Sequence, residues 1–259
     1  MTLQRYRLIA DELEAEIDRM APGARLDSEH TLMRRFEVSR SAARAAVQEL
    51  ERRLRVRRVR GAGTFVANRI DYVISRDRPP SWHRTVRDAG ARPRAVVLDI
   101  TKDRLPAEPA LRLGLPVGTP AHRMLRMSYI DDLVSGTNIE WIDADVVPEF
   151  TDAMRVEESL GEVLRQVGHV CAVRSWCRVA SDVPPPDIRE RLELATGVPA
   201  WIVESVSRDS VSGRPLFHSV GWMRGDAVRV VMEIGSTQSD TAYSASPTLG
   251  SKTKEVASS

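Results

Sequence analysis

The spacing of apolar residues divides the chain into a helical first part and a mixed second part. Tyr6, Leu8, Ile9, Leu13 and Ile17 recur at helical intervals and predict one amphipathic helix over residues 3–20, ended by Ala21-Pro22-Gly23-Ala24. Leu32 and Phe36 predict a shorter helix over residues 29–36 with Ser28 as its cap. A helix beginning after Ser39 puts Ala43, Val47, Leu50 and Leu54 on one stripe. It puts Arg40, Arg44 and Gln48, with Ser41 beside them, on another. Only Glu37 and Val38 separate these two helices. The period then drops to two. Residues 55–59 alternate Arg with Val, Gly61-Ala62-Gly63 breaks the chain, and Thr64-Phe65-Val66 resumes, which predicts a small hairpin.

Residues 68–78 read as a linker, extended around Tyr72-Val73-Ile74, and Pro79-Pro80 marks a boundary. Beyond it, helical and strand-like stretches alternate. Helices are expected over residues 81–89, 106–113, 160–167 and 187–194. Strands are expected over residues 94–101, 121–130, 138–147, 170–180, 200–209, 215–223 and 228–234, with a turn over 131–136. One unit occurs twice: a short helix, a Gly/Pro bend (Gly114-Leu115-Pro116, then Gly197-Val198-Pro199) and a hairpin. A duplicated half-domain around one sheet produces that echo. The expected class is α+β, in four segments: a first domain over 1–67, a linker over 68–80, a second domain over 81–235, and a Ser/Thr/Ala-rich disordered tail over 236–259.

Composition adds a division of charge. The net charge of the 259-residue chain is +2, but the first 70 residues carry 15 basic against 10 acidic side chains while the remainder is mildly acidic. A basic first part suits a nucleic-acid reader joined to something that does not touch nucleic acid. No stretch resembles a signal peptide or is long enough to span a bilayer, so no membrane association and a cytoplasmic location are expected. Cys171 and Cys177 lack zinc or redox spacing and read as reduced thiols. His83, His122, His169 and His218 are scattered over different elements, so neither a metal nor any other cofactor is expected.

Two closely joined helices, the second with a basic face, make a helix-turn-helix, and the hairpin after them makes a wing. Arg40 and Arg44 can fork onto guanine edges or phosphates of double-stranded DNA, while Ser41 and Gln48 donate and accept. The wing arginines, Arg58 and Arg60 among them, can lie along a phosphate backbone, and Gly61 and Gly63 let the backbone approach it closely. The second part shows no nucleophile–base pair and no Gly-x-Ser-x-Gly elbow, so enzyme chemistry is not expected.

These residues resemble a known family. Pro22-Gly23 with Leu26, Ser28-Glu29, Val38-Ser39-Arg40, Arg44, Leu50 and the closing Gly61-Ala62-Gly63-Thr64-Phe65-Val66 are similar to the winged helix-turn-helix of GntR-type bacterial transcription regulators. The resemblance implies DNA contacts from His30, Ser39, Arg40, Ser41, Arg44, Arg58, Arg60, Gly61, Gly63 and Thr64. The chain departs from the family at Asp27, where Pro is usual, at His30, where an Arg that touches DNA is usual, and at Arg53, where Gly is usual. A left-handed conformation is therefore expected at Arg53, at a cost of about 1–2 kcal/mol.

The second part resembles the UTRA effector-binding domain of HutC-type GntR regulators, which shares the chorismate lyase fold. The resemblance rests on Ser81-Trp82, Gly90, Leu113-Gly114-Leu115-Pro116, Gly118, Pro120, Arg126, Pro148 and Arg224-Gly225-Asp226. It implies a homodimer that binds a DNA operator and a small-molecule effector, often anionic or phosphorylated. By position, Ser81, Trp82, Arg126, Ser128, Asp143 and Met223 would hold the effector, with Arg174 supplying further positive charge. Ser128 stands where the family often has a second Arg, and Met223 where it often has Tyr, which makes the site less cationic. Arg126 pairing with Asp143 across the sheet, and Trp82 packing rather than stacking on a ligand, are the structural alternatives.

Overall fold

The protein is described from a computed structural model, which covers residues 2–59, 61–75 and 78–234 and their side chains from residue 5. Arg60 and the expected tail lie outside the described residues.

Helix α1 (Thr2–Ile17) buries Ile9, Ala10, Leu13 and Ile17 against the next two helices; Leu8, expected on the same stripe, is instead 63 % exposed. Helix α2 (Glu29–Phe36) starts at Ser28, whose Oγ accepts from Thr31 N at 3.1 Å. Glu37 ends it in the left-handed region (φ 50°), and that single residue reverses the chain. Ser39 then caps α3 (Arg40–Arg52), its Oγ accepting from Ala42 N at 3.3 Å. Ala42, Ala43, Ala46, Val47 and Leu50 form the buried back of α3. Strands β1 (Val56–Val59) and β2 (Gly63–Val66) pair antiparallel to form the wing.

Arg53 is not left-handed. Its φ is −77° and its ψ 2°, and the positive φ (57°) falls one residue later, on Leu54. Arg53 keeps near-helical geometry because its guanidinium is committed to three carboxylates: Asp11 at 2.6 Å, Glu14 at 2.7 Å and Glu49 at 3.1 Å.

The stretch read as a linker contains β3 (Ile70–Ser75). The following elements are α4 (Trp82–Asp88), β4 (Pro93–Arg104), α5 (Ala107–Leu113), β5 (Pro120–Ile130), β6 (Leu133–Asp143), α6 (Phe150–Val156), α7 (Leu160–Gln166), β7 (Ala172–Asp182), α8 (Pro186–Arg191), β8 (Ala200–Asp209), β9 (Pro215–Arg224) and β10 (Val228–Glu233). Strands β4 to β9 form one antiparallel sheet in the order β4-β5-β6-β9-β8-β7. That order is two copies of strand–helix–hairpin joined at β6 and β9, the arrangement implied by the sequence echo. The last strand, β10, runs parallel to β3 from Val228↔Ile70 to Glu233↔Ser75, so the connector from the first domain is held by the end of the second.

Two expectations along β6 fail. The strand begins at Leu133 rather than 138, because Asp131 takes a positive φ (53°) and makes the turn tight, and it ends at Asp143 rather than 147. Helix α6 has no counterpart in the sequence pattern; it buries Phe150 and Met154 beside Met124, Ile142 and Leu216 of the sheet. Among the described residues, no helix is long and apolar enough to cross a membrane.

Candidate functional site

The exposed face of α3 carries Arg40, Ser41, Arg44 and Gln48 beside Ser39. The helical period that buries Ala43, Val47 and Leu50 forces these side chains outward. Ser39 and Ser41 share a hydrogen bond at 2.9 Å. Neither Arg40 nor Arg44 has a carboxylate within 4 Å among the described residues, so both guanidinium groups stand free on one face. His30 on α2 is also exposed.

At the wing, exposed Gly61 takes φ 77° and Gly63 φ 122°, conformations that L side chains rarely adopt. Thr64 O accepts from Leu26 N at 2.9 Å, which ties the wing to the segment before α2. Arg25, which the sequence pattern does not single out, lies on Gly63: a β-carbon there would sit 3.1 Å from Arg25 Nε. The signal for it is a glycine flanked by strand residues, since an approach that close needs a missing side chain. Arg58 binds Glu29 at 2.9 Å, with buried Glu51 at 3.7 Å.

The second site is a chamber of about 60 Å³ between one face of the sheet, the start of α4 and the start of α7. It brings together Ser81, Trp82, Arg126, Ser128, Arg174 and Met223, six of the seven residues expected around an effector. Strand periodicity explains the grouping. Arg126 and Ser128 lie two apart on β5, opposite Asn138 and Gly136 of β6, and Gly136 in turn faces Met223 of β9. Asn138 Nδ2 occupies the space that a β-carbon on Gly221 of β9 would take, so the absence of a side chain at 221 is what admits the Asn138 amide.

Asp143 is the exception. It pairs with Ala121 at the far end of β6, and its carboxylate takes Arg214 at 2.9 Å, so it neither lines the chamber nor meets Arg126. The partner of Arg126 is Glu140. Both side chains are buried, at 8 % and 2 % exposure. Burial pushes the Glu140 carboxyl above its usual range, against the pull of Arg126. Glu140 Oε2 and Arg126 Nε remain without a hydrogen-bond partner. An irregularity in the hairpin places Glu140, not Asp143, on the face of Arg126: Tyr129 pairs with Val134 but Ser128 with Gly136, so Ser135 is an extra residue that shifts the register by one.

Trp82 both lines the chamber and packs, with Nε1 donating to Tyr129 O at 3.2 Å. Ser81 caps α4, its Oγ accepting from Arg84 N at 3.2 Å. Beside them His83 is buried. Burial drives its imidazole below the usual value, and the charges of Arg126 and Arg87 push it further down. Arg174 donates to the hydroxyl of Tyr72 on β3, so the chamber wall includes the connector strand. The sequence marks Tyr72 as extended backbone only. Its contact depends on β3 pairing with β10, far apart in sequence.

Residues 88–229, more than half of the chain, match the UTRA domain family, and residues 5–66 match the family described as bacterial regulatory proteins, gntR family. The transcriptional regulator GgaR of Escherichia coli is 26 % identical over 208 residues, 80 % of this chain and 81 % of its own. The mannosyl-D-glycerate transport/metabolism system repressor MngR of the same species is 25 % identical over 221 residues, 83 % of this chain and 89 % of its own. The crystal structure of PhnF from Mycobacterium smegmatis superposes with a TM-score of 0.61 at 21 % identity, covering 88 % of this chain and 99 % of that one, and shows the same fold. With its helix-turn-helix at one end and its ligand-binding sheet domain at the other, the chain belongs to the GntR family of bacterial transcription regulators that carry a UTRA domain.

Proposed function

We propose that the protein is a ligand-responsive repressor of the HutC type. Two copies of α3 read the half-sites of a near-palindromic operator through Arg40 and Arg44, and a small metabolite in the Arg126 chamber releases the DNA. Tyr72 carries this reading. It lies on the strand that follows the wing almost directly, and its hydroxyl holds Arg174 at the chamber wall. An occupant of the chamber therefore touches the connector to the DNA-binding domain. It acts as a switch to the extent that it binds one arrangement of the connector better than the other. A dimer seated across a promoter blocks it without further contacts, and the similar MngR is named a repressor.

The chamber also supports a chemistry for the effector. Arg126 is already neutralised by Glu140, so a bare anion gains little there. A small metabolite that offers an acceptor to Arg126 Nε and a donor to Glu140 Oε2 satisfies both unpartnered atoms. Fluorescence anisotropy of the protein on the DNA upstream of its own gene, titrated with a panel of small polar metabolites, tests the proposal. Release of the DNA by one compound, lost in Glu140→Gln, supports it. The second reading, constitutive DNA binding with a second domain that only dimerises, draws on the small volume of the chamber. It prevails if the DNA binds and no compound changes its affinity.

A further inference from the structure

A second cavity, of about 570 Å³, lies between the two domains. Its walls come from both sides: Gly23 and Arg57 from the DNA-binding domain, Arg69 from the connector, and Arg84 and Arg174 from the second domain. Its charges are out of balance. Of the three carboxylates in the wall, Asp71 is held by the Arg229 side chain at 2.6 Å, and Asp131 by the Arg92 side chain at 3.6 Å. Asp88 alone remains in the wall beside Arg57, Arg69, Arg84 and Arg174, and behind the wall Asp226 partly offsets the charges of Arg57 and Arg69. Arg57 and Arg84 have no carboxylate within 4 Å among the described residues. The Nε atoms of Arg57 and Arg174 are shut off from solvent without any hydrogen-bond partner. A buried guanidinium left with unmade bonds is costly to a fold. Burial here does depress the Arg57 guanidinium from its usual value.

We propose that this cleft is a binding site for a phosphorylated metabolite, distinct from the Arg126 chamber, whose phosphate bridges Arg57 of the wing and Arg84 of α4. Guanidinium groups fork onto phosphate oxygens and give the shape of that recognition. The volume falls within the range of small-molecule sites and admits a ligand of nucleotide size. Because the arginines sit on different domains, the phosphate fixes the DNA-binding domain against the second domain. The site is a further input to the regulator; it shares Arg174 with the Arg126 chamber, while Arg57 and Arg84 belong to the cleft alone.

Isothermal titration calorimetry of the full chain with inorganic pyrophosphate, at constant ionic strength and without DNA, tests the assignment. The expected result is saturable binding that falls at least tenfold in Arg57→Gln and in Arg84→Gln. Arg84 is exposed, so its variant keeps the fold even where Arg57→Gln does not. Binding is expected to persist in Arg40→Ala/Arg44→Ala, which removes the free arginines of α3, and in Arg126→Gln/Glu140→Gln, which alters the chamber. Three results overturn the proposal: no binding at millimolar pyrophosphate, binding indifferent to Arg84→Gln, or binding lost with the α3 arginines, which marks adventitious contact with the DNA face. Since no DNA is present, failure of this assignment and failure of the repressor reading are separately visible.

Discussion

Leu54, just beyond the end of α3, rests on Gly225 of the second domain. A β-carbon at position 225 would come within 2.6 Å of Leu54 Cδ1. Leu54 holds a positive φ, which costs a non-glycine residue about 1–2 kcal/mol. In return its side chain joins Ile188, Leu192, Leu194 and Val198, and Arg69 donates to its carbonyl. Gly225 is fixed from both sides, because Arg224 pairs with buried Asp226 at 2.7 Å and donates to Leu192 O at 2.7 Å. The helix that carries Arg40 and Arg44 is thus keyed into the second domain at its far end.

Gly225→Ala is expected to push Leu54 out of that cluster. Gly225 has no positive φ, so its own backbone accepts alanine, and the cost comes from the contact alone. Since the obstructing atom is the end of a side chain that can move, the loss should be about 1 kcal/mol. The more telling readout is coupling. Differential scanning calorimetry should show the two domains melting at more separate temperatures than in the native protein, and a single unchanged transition would refute the keying.

Arg40→Ala and Arg44→Ala should each cost about 1–3 kcal/mol of discrimination between operator and scrambled DNA. Both side chains are exposed and unpaired, so the melting temperature should barely move. Anisotropy with the two DNAs at matched salt makes the measurement. Equal loss on both would reassign these arginines to phosphate contacts.

Arg53→Gly tests the backbone geometry at the end of α3. Were Arg53 left-handed, glycine would stabilise the protein. With φ at −77° and three carboxylates around the guanidinium, glycine should instead destabilise it. The pairs are partly exposed, so together they contribute about 1 kcal/mol, to which glycine's backbone freedom adds about 0.5–1 kcal/mol. Chemical denaturation reads the sign directly.

Acid sensitivity should trace to buried histidines. His122 is 1 % exposed, with its ring 5.1 Å from that of Phe150 and neither nitrogen hydrogen-bonded. Burial, and then the charge of Lys102, push it below its usual value of 6.5, as burial does for His83. The unfolded chain therefore binds more protons than the folded one below that value. The stability is fully present above about pH 6.5 and is lost as pH falls through the folded-state values. His122→Phe should flatten the decline in stability between about pH 6.5 and pH 5; denaturation midpoints that fall as steeply as those of the native protein would exclude the role.

What is legible in the sequence follows from how local each signal is. Ser39 and the spacing of Ala43, Val47 and Leu50 define α3 and its outward face from neighbouring residues alone. The repeated Gly/Pro bends mark the two halves of the sheet. Relations between distant residues are harder to read. The pattern allows Arg126 to face Asp143 because one extra residue in a hairpin moves every side chain beyond it to the other face, and nothing local marks Ser135 as that residue. Family habit puts a left-handed residue at Arg53, while its carboxylate partners Asp11 and Glu14 lie on a helix some forty residues earlier. Tyr72 gains its place at the chamber only through a parallel pairing with the last strand.

The Arg126–Glu140 pair gives the sharpest energetic test. Each charge is buried and is the other's only ionic partner among the described residues. Removing one leaves the other unpaired in a poorly solvated chamber, which typically costs about 3–5 kcal/mol. Removing both spares that penalty. Arg126→Met and Glu140→Leu should therefore each destabilise the protein strongly, while the double variant should be less unstable than either single one. A double-mutant cycle from denaturation curves measures the coupling. Near-additive losses would mean that solvent reaches the pair. If the coupling is large and the double variant still binds DNA but no longer answers any metabolite, stability and response separate. The pair is then present for the ligand rather than for the fold.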